Sequence, residues 1–113
     1  MSKPVSRRFV VIGAAASAAS LVSRGSAENA PKTHEIQIRR FKFEPDQIQV
    51  RPGDRIKWVN LDIAPHTATA VDRSWDTFEL VKDANSEIQV TEGMEQSYFC
   101  EFHPHMKGRL EIL

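Results

Sequence analysis

The stretch IQIRRFKFEPDQIQVRPGDRIKWVN, Ile36 to Asn60, decides the fold. Its apolar residues alternate with polar ones at the period of two that places one side chain in two on the same face of a strand. Ile36 and Ile38 begin the alternation, and Phe41 and Phe43 continue it after one slip at Arg39-Arg40, which reads as a bulge. Ile48 and Val50 alternate again. RPGD, Arg51 to Asp54, is a turn signal, and Ile56, Trp58 and the neighbouring Val59 make the next strand. Downstream, Asn60 to Pro65 reads as a loop and His66 to Val71 as extended chain. A loop with a short strand covers Asp72 to Val81, and Ile88 and Val90 form another strand before a turn at Glu92-Gly93. Tyr98 and Cys100 share a face of the next strand, and Leu110 and Ile112 belong to the last. Seven or eight short strands without an amphipathic helix predict an all-β fold, an antiparallel Greek-key β-sandwich. Trp58, in a strand of matching period, is expected to anchor the core.

The chain has 113 residues, which favours one domain, and no formal net charge. That charge is unevenly spread. Residues 1–27 hold Lys3, Arg7, Arg8 and Arg24 and no acid, which leaves the remainder at net −4. Such a remainder lacks the basic patch that phosphate binding needs, so nucleic acid is not an expected partner. The basic start is followed by an apolar run of 14, Phe9 to Val22, and a small-residue exit, Gly25-Ser26-Ala27. This describes a cleavable export signal, too short to span a bilayer, which takes about 20 residues. Arg7-Arg8, followed after one residue by Val10-Val11, resembles a twin-arginine signal. Residues 1–27 are therefore expected as the signal and residues 28–113 as the mature domain. That domain would open with a linker over 28–33, carry no membrane span, lie in the periplasm and act as a monomer.

An exported chain with a single cysteine forms no internal disulfide, so its thiol needs another occupation: a partner chain, reactivity or a metal. Cys100 opens the run CEFHPHM, Cys100 to Met106. Cys100, His103 and Met106 stand three residues apart in turn, and His66 offers a second imidazole 34 positions upstream. A thiolate, two imidazoles and a thioether form the ligand set of a blue-copper electron-transfer centre. His103 is favoured over His105 within the loop, because it lies three residues from both sulfur-bearing residues while His105 adjoins Met106. Pro104 stiffens the loop just after His103. His34 belongs to no constellation and is expected to be exposed, and Met94, beside a glycine turn, is expected to be packing.

The motif Cys-x-x-His-Pro-x-Met, together with FKFEPDQIQVRPGDRIKWVN, APHTAT and SWDTFEL, resembles the cupredoxins over residues 36–113, amicyanin in particular. The resemblance implies a type 1 copper ion on His66, Cys100, His103 and Met106. It also implies an electron carrier rather than an enzyme. Transient redox partners are then expected as donor and acceptor, of dehydrogenase, cytochrome c or oxidase type, meeting the protein at the His103 edge near Phe102 and Pro104. Two positions depart from the family pattern. Thr67 stands where Asn is common, and Glu101 where Thr or Ser is common; in relatives these side chains tie the two ligand loops together. Thr67 still offers its backbone N–H to the thiolate, and a carboxylate at Glu101 is expected to favour Cu(II) and lower the potential. His105 replaces a common apolar residue. It reads as a solvated surface histidine, the other reading being a group that makes docking pH-sensitive. The alternative function is copper delivery or storage. Copper reductases and oxidases need further metal centres, for which the chain has no spare histidine cluster, and a binuclear copper site needs a second cysteine.

Overall fold

A computed structural model describes residues 30–113. The expected export segment, residues 1–27, lies outside the described residues. Eight strands follow: β1 (Thr33–Arg39), β2 (Lys42–Glu44), β3 (Gln47–Val50), β4 (Arg55–Asn60), β5 (Thr69–Ala70), β6 (Asn85–Gln89), β7 (Ser97–Phe99) and β8 (Lys107–Ile112). They form two four-stranded sheets, ordered β2-β1-β4-β6 and β3-β8-β7-β5. Among the described residues there is no helix, and so none long and apolar enough to cross a membrane. The expected β-sandwich is present.

Within it the pairing is mixed rather than wholly antiparallel. β1 runs parallel to β4, with Ile36 opposite Trp58, and β3 runs parallel to β8, with Ile48 opposite Leu110. The reason is topological. After the β1–β2 hairpin the chain crosses to the other sheet as β3 and only then returns as β4. It therefore re-enters beside β1 in the same direction, through the long connection that a parallel pair requires.

Alternation delivers the core as expected. Ile36, Ile38, Phe43, Ile56 and Trp58 from one sheet meet Val50, Tyr98 and Leu110 from the other, all buried. Trp58 stacks on Trp75 and meets the Tyr98 ring edge-on. Cys100 and Met106 belong to the same apolar cluster, and Met94 packs against it. Gly108 faces Tyr98 across β7 and β8, and a Cβ on it would clash with the phenol end of the Tyr98 ring. The Pro52-Gly53 turn is as read: Gly53 takes φ +97° and the Asp54 N–H donates to the Arg51 carbonyl, at 3.0 Å.

Two further expectations are corrected. The slip at Arg39-Arg40 is a two-residue hairpin turn, not a bulge. Arg39 pairs with Lys42, so Arg40 and Phe41 are the loop, with φ of 55° and 58°. Positive φ at both central residues matches the strand twist but normally selects Asn or Gly. Here the Asp62 carboxylate accepts both turn N–H groups, Arg40 at 2.8 Å and Phe41 at 3.0 Å. Phe41 consequently leaves the strand pattern and is 43% exposed. His34 is not a free surface residue either. Its Nε2 lies 2.9 Å from Asp54, whose buried carboxylate also accepts the Lys32 and Arg51 N–H groups.

Candidate metal centre

The spacing of Cys100, His103 and Met106 is a pair of successive turns. The His103 N–H donates to the Cys100 carbonyl (3.2 Å), and the Met106 N–H donates to the His103 carbonyl (2.8 Å). The Cys100 N–H donates across the loop to the Met106 carbonyl (3.0 Å). Each turn advances three residues and returns the next side chain to the same side. Cys100 and Met106 are buried at the edge of the core, His103 is half-buried, and His105 is exposed.

His66 comes from the other side of the cluster. Its backbone exchanges hydrogen bonds with Leu80 in both directions, at 3.1 and 2.8 Å, and its ring is fully buried. The loop before it is organised by Asn60. The Asn60 amide donates to the Ala64 and Leu80 carbonyls and its oxygen accepts the Asp62 N–H. Asp62 is thereby held 2.8 Å from His66 Nε2. A carboxylate only accepts, so Nε2 carries the proton and Nδ1 keeps a free lone pair. Burial alone would raise the Asp62 carboxyl. The N–H groups of Phe41 and Arg40, and the His66 ring, hold it below the usual carboxylate range instead.

His66 Nδ1 lies 3.7 Å from Cys100 Sγ, and His103 Nδ1 lies 3.6 Å from it. All three donor atoms fall within 4.8 Å of one another. A metal–thiolate bond of about 2.3 Å and a metal–imidazole bond of about 2.0 Å, set at 120°, would separate sulfur and nitrogen by about 3.7 Å. The donor set therefore fits one ion in a trigonal arrangement. Desolvation, followed by the neighbouring imidazoles, lowers the His103 pKa from its ordinary value, the direction that favours a ligating imidazole.

Thr67 links the two halves. Its N–H points at Cys100 Sγ (3.4 Å), and its hydroxyl oxygen accepts the Glu101 N–H (2.8 Å). The loop-to-loop tie expected from Asn is thus made by Thr. Glu101 does not face the cluster alone: Arg73 pairs with it at 2.6 Å and lies over the Phe99 ring. Above the site, Phe41 meets the rings of His66 and His103 edge-on, with centroids 5.1 and 4.9 Å away.

Three of the four expected ligands, His66, Cys100 and His103, converge with donor atoms in range. The fourth, Met106, is buried in the loop that carries two of them. Sequence reading missed Asp62 and Phe41. A carboxylate four residues before the candidate ligand His66 was the available signal for Asp62. None existed for Phe41, whose place depends on the turn.

An all-β sandwich closing a thiolate and two imidazoles at one end defines a class of protein, and the sequence comparison agrees. The family described as Cupredoxin-like domain matches residues 10–112, and the chain belongs to it. Within that family it is amicyanin-like. It is 26% identical to amicyanin of Paracoccus denitrificans over 112 residues, 92% of this chain and 86% of that one. It is 24% identical to amicyanin-alpha of Methylorubrum extorquens, over 92% of this chain and 95% of that one. Among solved structures, a Cu(I) amicyanin variant superposes with TM-score 0.65 at 26% identity, over 77% of this chain and 88% of that one. A copper-containing nitrite reductase from Thermus scotoductus SA-01 superposes with TM-score 0.66 at 23% identity. It matches over 72% of this chain but only 22% of its own length, a likeness of fold alone. Family and donor set together assign one type 1 copper ion as the cofactor.

Proposed function

We propose that this protein is a periplasmic carrier of single electrons between redox proteins, with copper held by His66, Cys100, His103 and Met106. The observation that carries the reading is the 3.6 and 3.7 Å spacing of the two imidazole nitrogens from one buried thiol. Copper held by these residues would supply one-electron Cu(I)/Cu(II) chemistry between a donor and an acceptor. The protein's part is to hold the donor atoms still. Thr67 and Asp62 orient Cys100 and His66 from outside the cluster, and the buried Met106 thioether would supply a weak fourth contact.

Electron entry and exit run through the His103 edge. Phe41 meets the His103 ring and shares a surface hollow with Ile63, and Phe102 adjoins His103 in the chain; all three are exposed, apolar surface suited to brief docking. Dehydrogenase, cytochrome c or oxidase-type proteins are the partner classes this implies, with the protein working as a monomer. His105, exposed with its ring centroid 6.5 Å from that of His103, belongs to the rim. The basic, apolar and small-residue order of residues 1–27 supports export with cleavage after Ala27.

Protein purified with added Cu(II) should show an intense blue Cu–thiolate band, one copper per chain and a reversible potential. A colourless or readily lost copper would instead favour delivery or storage. Replacing Arg7 and Arg8 together by Lys should leave the protein unexported, read by fractionation and N-terminal sequencing.

A further inference from the structure

Behind the Thr67 tie runs a chain of buried hydroxyls that ends on a carboxylate. The Glu101 N–H donates to Thr67 Oγ1. Thr67 Oγ1 lies 2.9 Å from Thr69 Oγ1, and Thr69 Oγ1 lies 3.0 Å from Asp76 Oδ1. Thr67 and Thr69 are 2% and 0% exposed. The direction of every bond follows from its last member. A carboxylate only accepts, so the Thr69 proton goes to Asp76. The Thr69 oxygen is then free to accept the Thr67 proton, and the Thr67 oxygen is left to accept the Glu101 N–H. All donors point the same way, and in a buried setting each bond polarises the next.

Asp76 is itself held in place. The Ala70 N–H donates to the Trp75 carbonyl and the Thr77 N–H to the Ala68 carbonyl, setting Asp76 opposite Thr69. The Ala68 N–H bonds the Thr77 hydroxyl at 2.9 Å, and the Phe78 N–H donates to Asp76 Oδ1 at 2.8 Å.

We propose that Asp76 is a positioning residue of the metal centre, acting through Thr69 and Thr67 on the peptide that follows Cys100. It touches no ligand. Its charge fixes the sense of the chain, the chain fixes Thr67 between the two ligand loops, and the Thr67 N–H is thereby kept on Cys100 Sγ. Hydrogen bonding at that sulfur is one control of a type 1 copper potential. The inference rests on the copper reading for its consequence, but the chain itself is testable without metal.

In metal-free protein, Thr69→Val and Asp76→Ala should each speed hydrogen exchange at the Glu101 amide about tenfold, the loss expected for a charge-assisted bond. The Ile56 amide, in the other sheet, should keep its rate. Combining the two changes should add little, because they break one chain. Thr69→Ser should exchange as the parent does. In copper-loaded protein, Thr69→Val should lower the potential and Thr69→Ser restore it; neither alters charge, so the shift reports the hydrogen bond alone. Parent-like exchange at Glu101 in Asp76→Ala, additive effects in the double variant, or failure of Thr69→Ser to restore the rate would overturn the proposal. If Asp76→Ala or Thr69→Val speeds exchange at Ile56 as well, Asp76→Asn and Thr69→Ser decide it: a rate at Glu101 raised in the first and unchanged in the second supports the chain, and any other pair overturns it. Absence of the blue band with this exchange pattern intact would overturn the copper reading and not the chain.

Discussion

A single carboxylate, that of Asp62, accepts from the two N–H groups of the Arg40–Phe41 turn and meets the outer nitrogen of His66. Removing it releases a turn with positive φ at both central residues and frees the His66 ring to rotate. Asp62→Ala should therefore cost about 1–3 kcal/mol of stability, measured by urea unfolding. It should also weaken copper affinity about 10–100-fold, measured by competition with a chelator. Glu101 acts over a longer reach. Its carboxylate would oppose reduction of a metal held by the cluster, but Arg73 pairs with it and both groups are exposed. Glu101→Gln should raise the potential, Arg73→Gln should lower it, and the double variant, which loses both charges, should fall between the two; voltammetry of the four proteins checks the order. At this scale the candidate ligands were legible because the soft donors, Cys100 and Met106, sit in one short run. Asp62 and Asp76 were not, because a carboxylate in a loop has no signature until its partners are known.

Strand elements were legible wherever one face is buried, since a slip of one residue would carry Ile36, Ile38, Ile56 and Trp58 to the outside. Pairing direction was not, because alternation is the same for parallel and antiparallel neighbours. The Arg40–Phe41 hairpin was hidden for a different reason. Its residues are poor formers of that turn, and a side chain 21 positions away from Phe41 stabilises it. Between β7 and β8 the contact of Gly108 with the Tyr98 ring leaves no room for a methyl group. Gly108→Ala should destabilise by about 1–3 kcal/mol, seen as a lower urea midpoint with unchanged slope. Because β8 follows the ligand loop directly, the variant should also lose copper faster.

In the described domain the candidate metal centre is built from the loops around His66 and Cys100–Met106, while the Asp54 group ties the start of β1 to the Arg51–Asp54 turn. Burial works to raise the Asp54 carboxyl, but the Lys32 N–H, the His34 ring and the Arg51 N–H bring it below its ordinary value. A carboxyl depressed in the folded state contributes its full stability above its unfolded pKa of about 3.9 and loses it as pH falls through the lower folded value. The metal-free protein should accordingly weaken below about pH 4. In Asp54→Asn that acid-side loss should be smaller, as equilibrium unfolding against pH would show. By itself the sequence determined the β-sandwich class, the buried faces and the residues chemically fit to hold copper, because period and donor softness are local properties. Only the tertiary structure decided which strands run parallel, which turn presents Phe41 to the two imidazoles, and which carboxylates orient the site. Those depend on groups distant in the chain meeting in space, and no local pattern encodes that meeting.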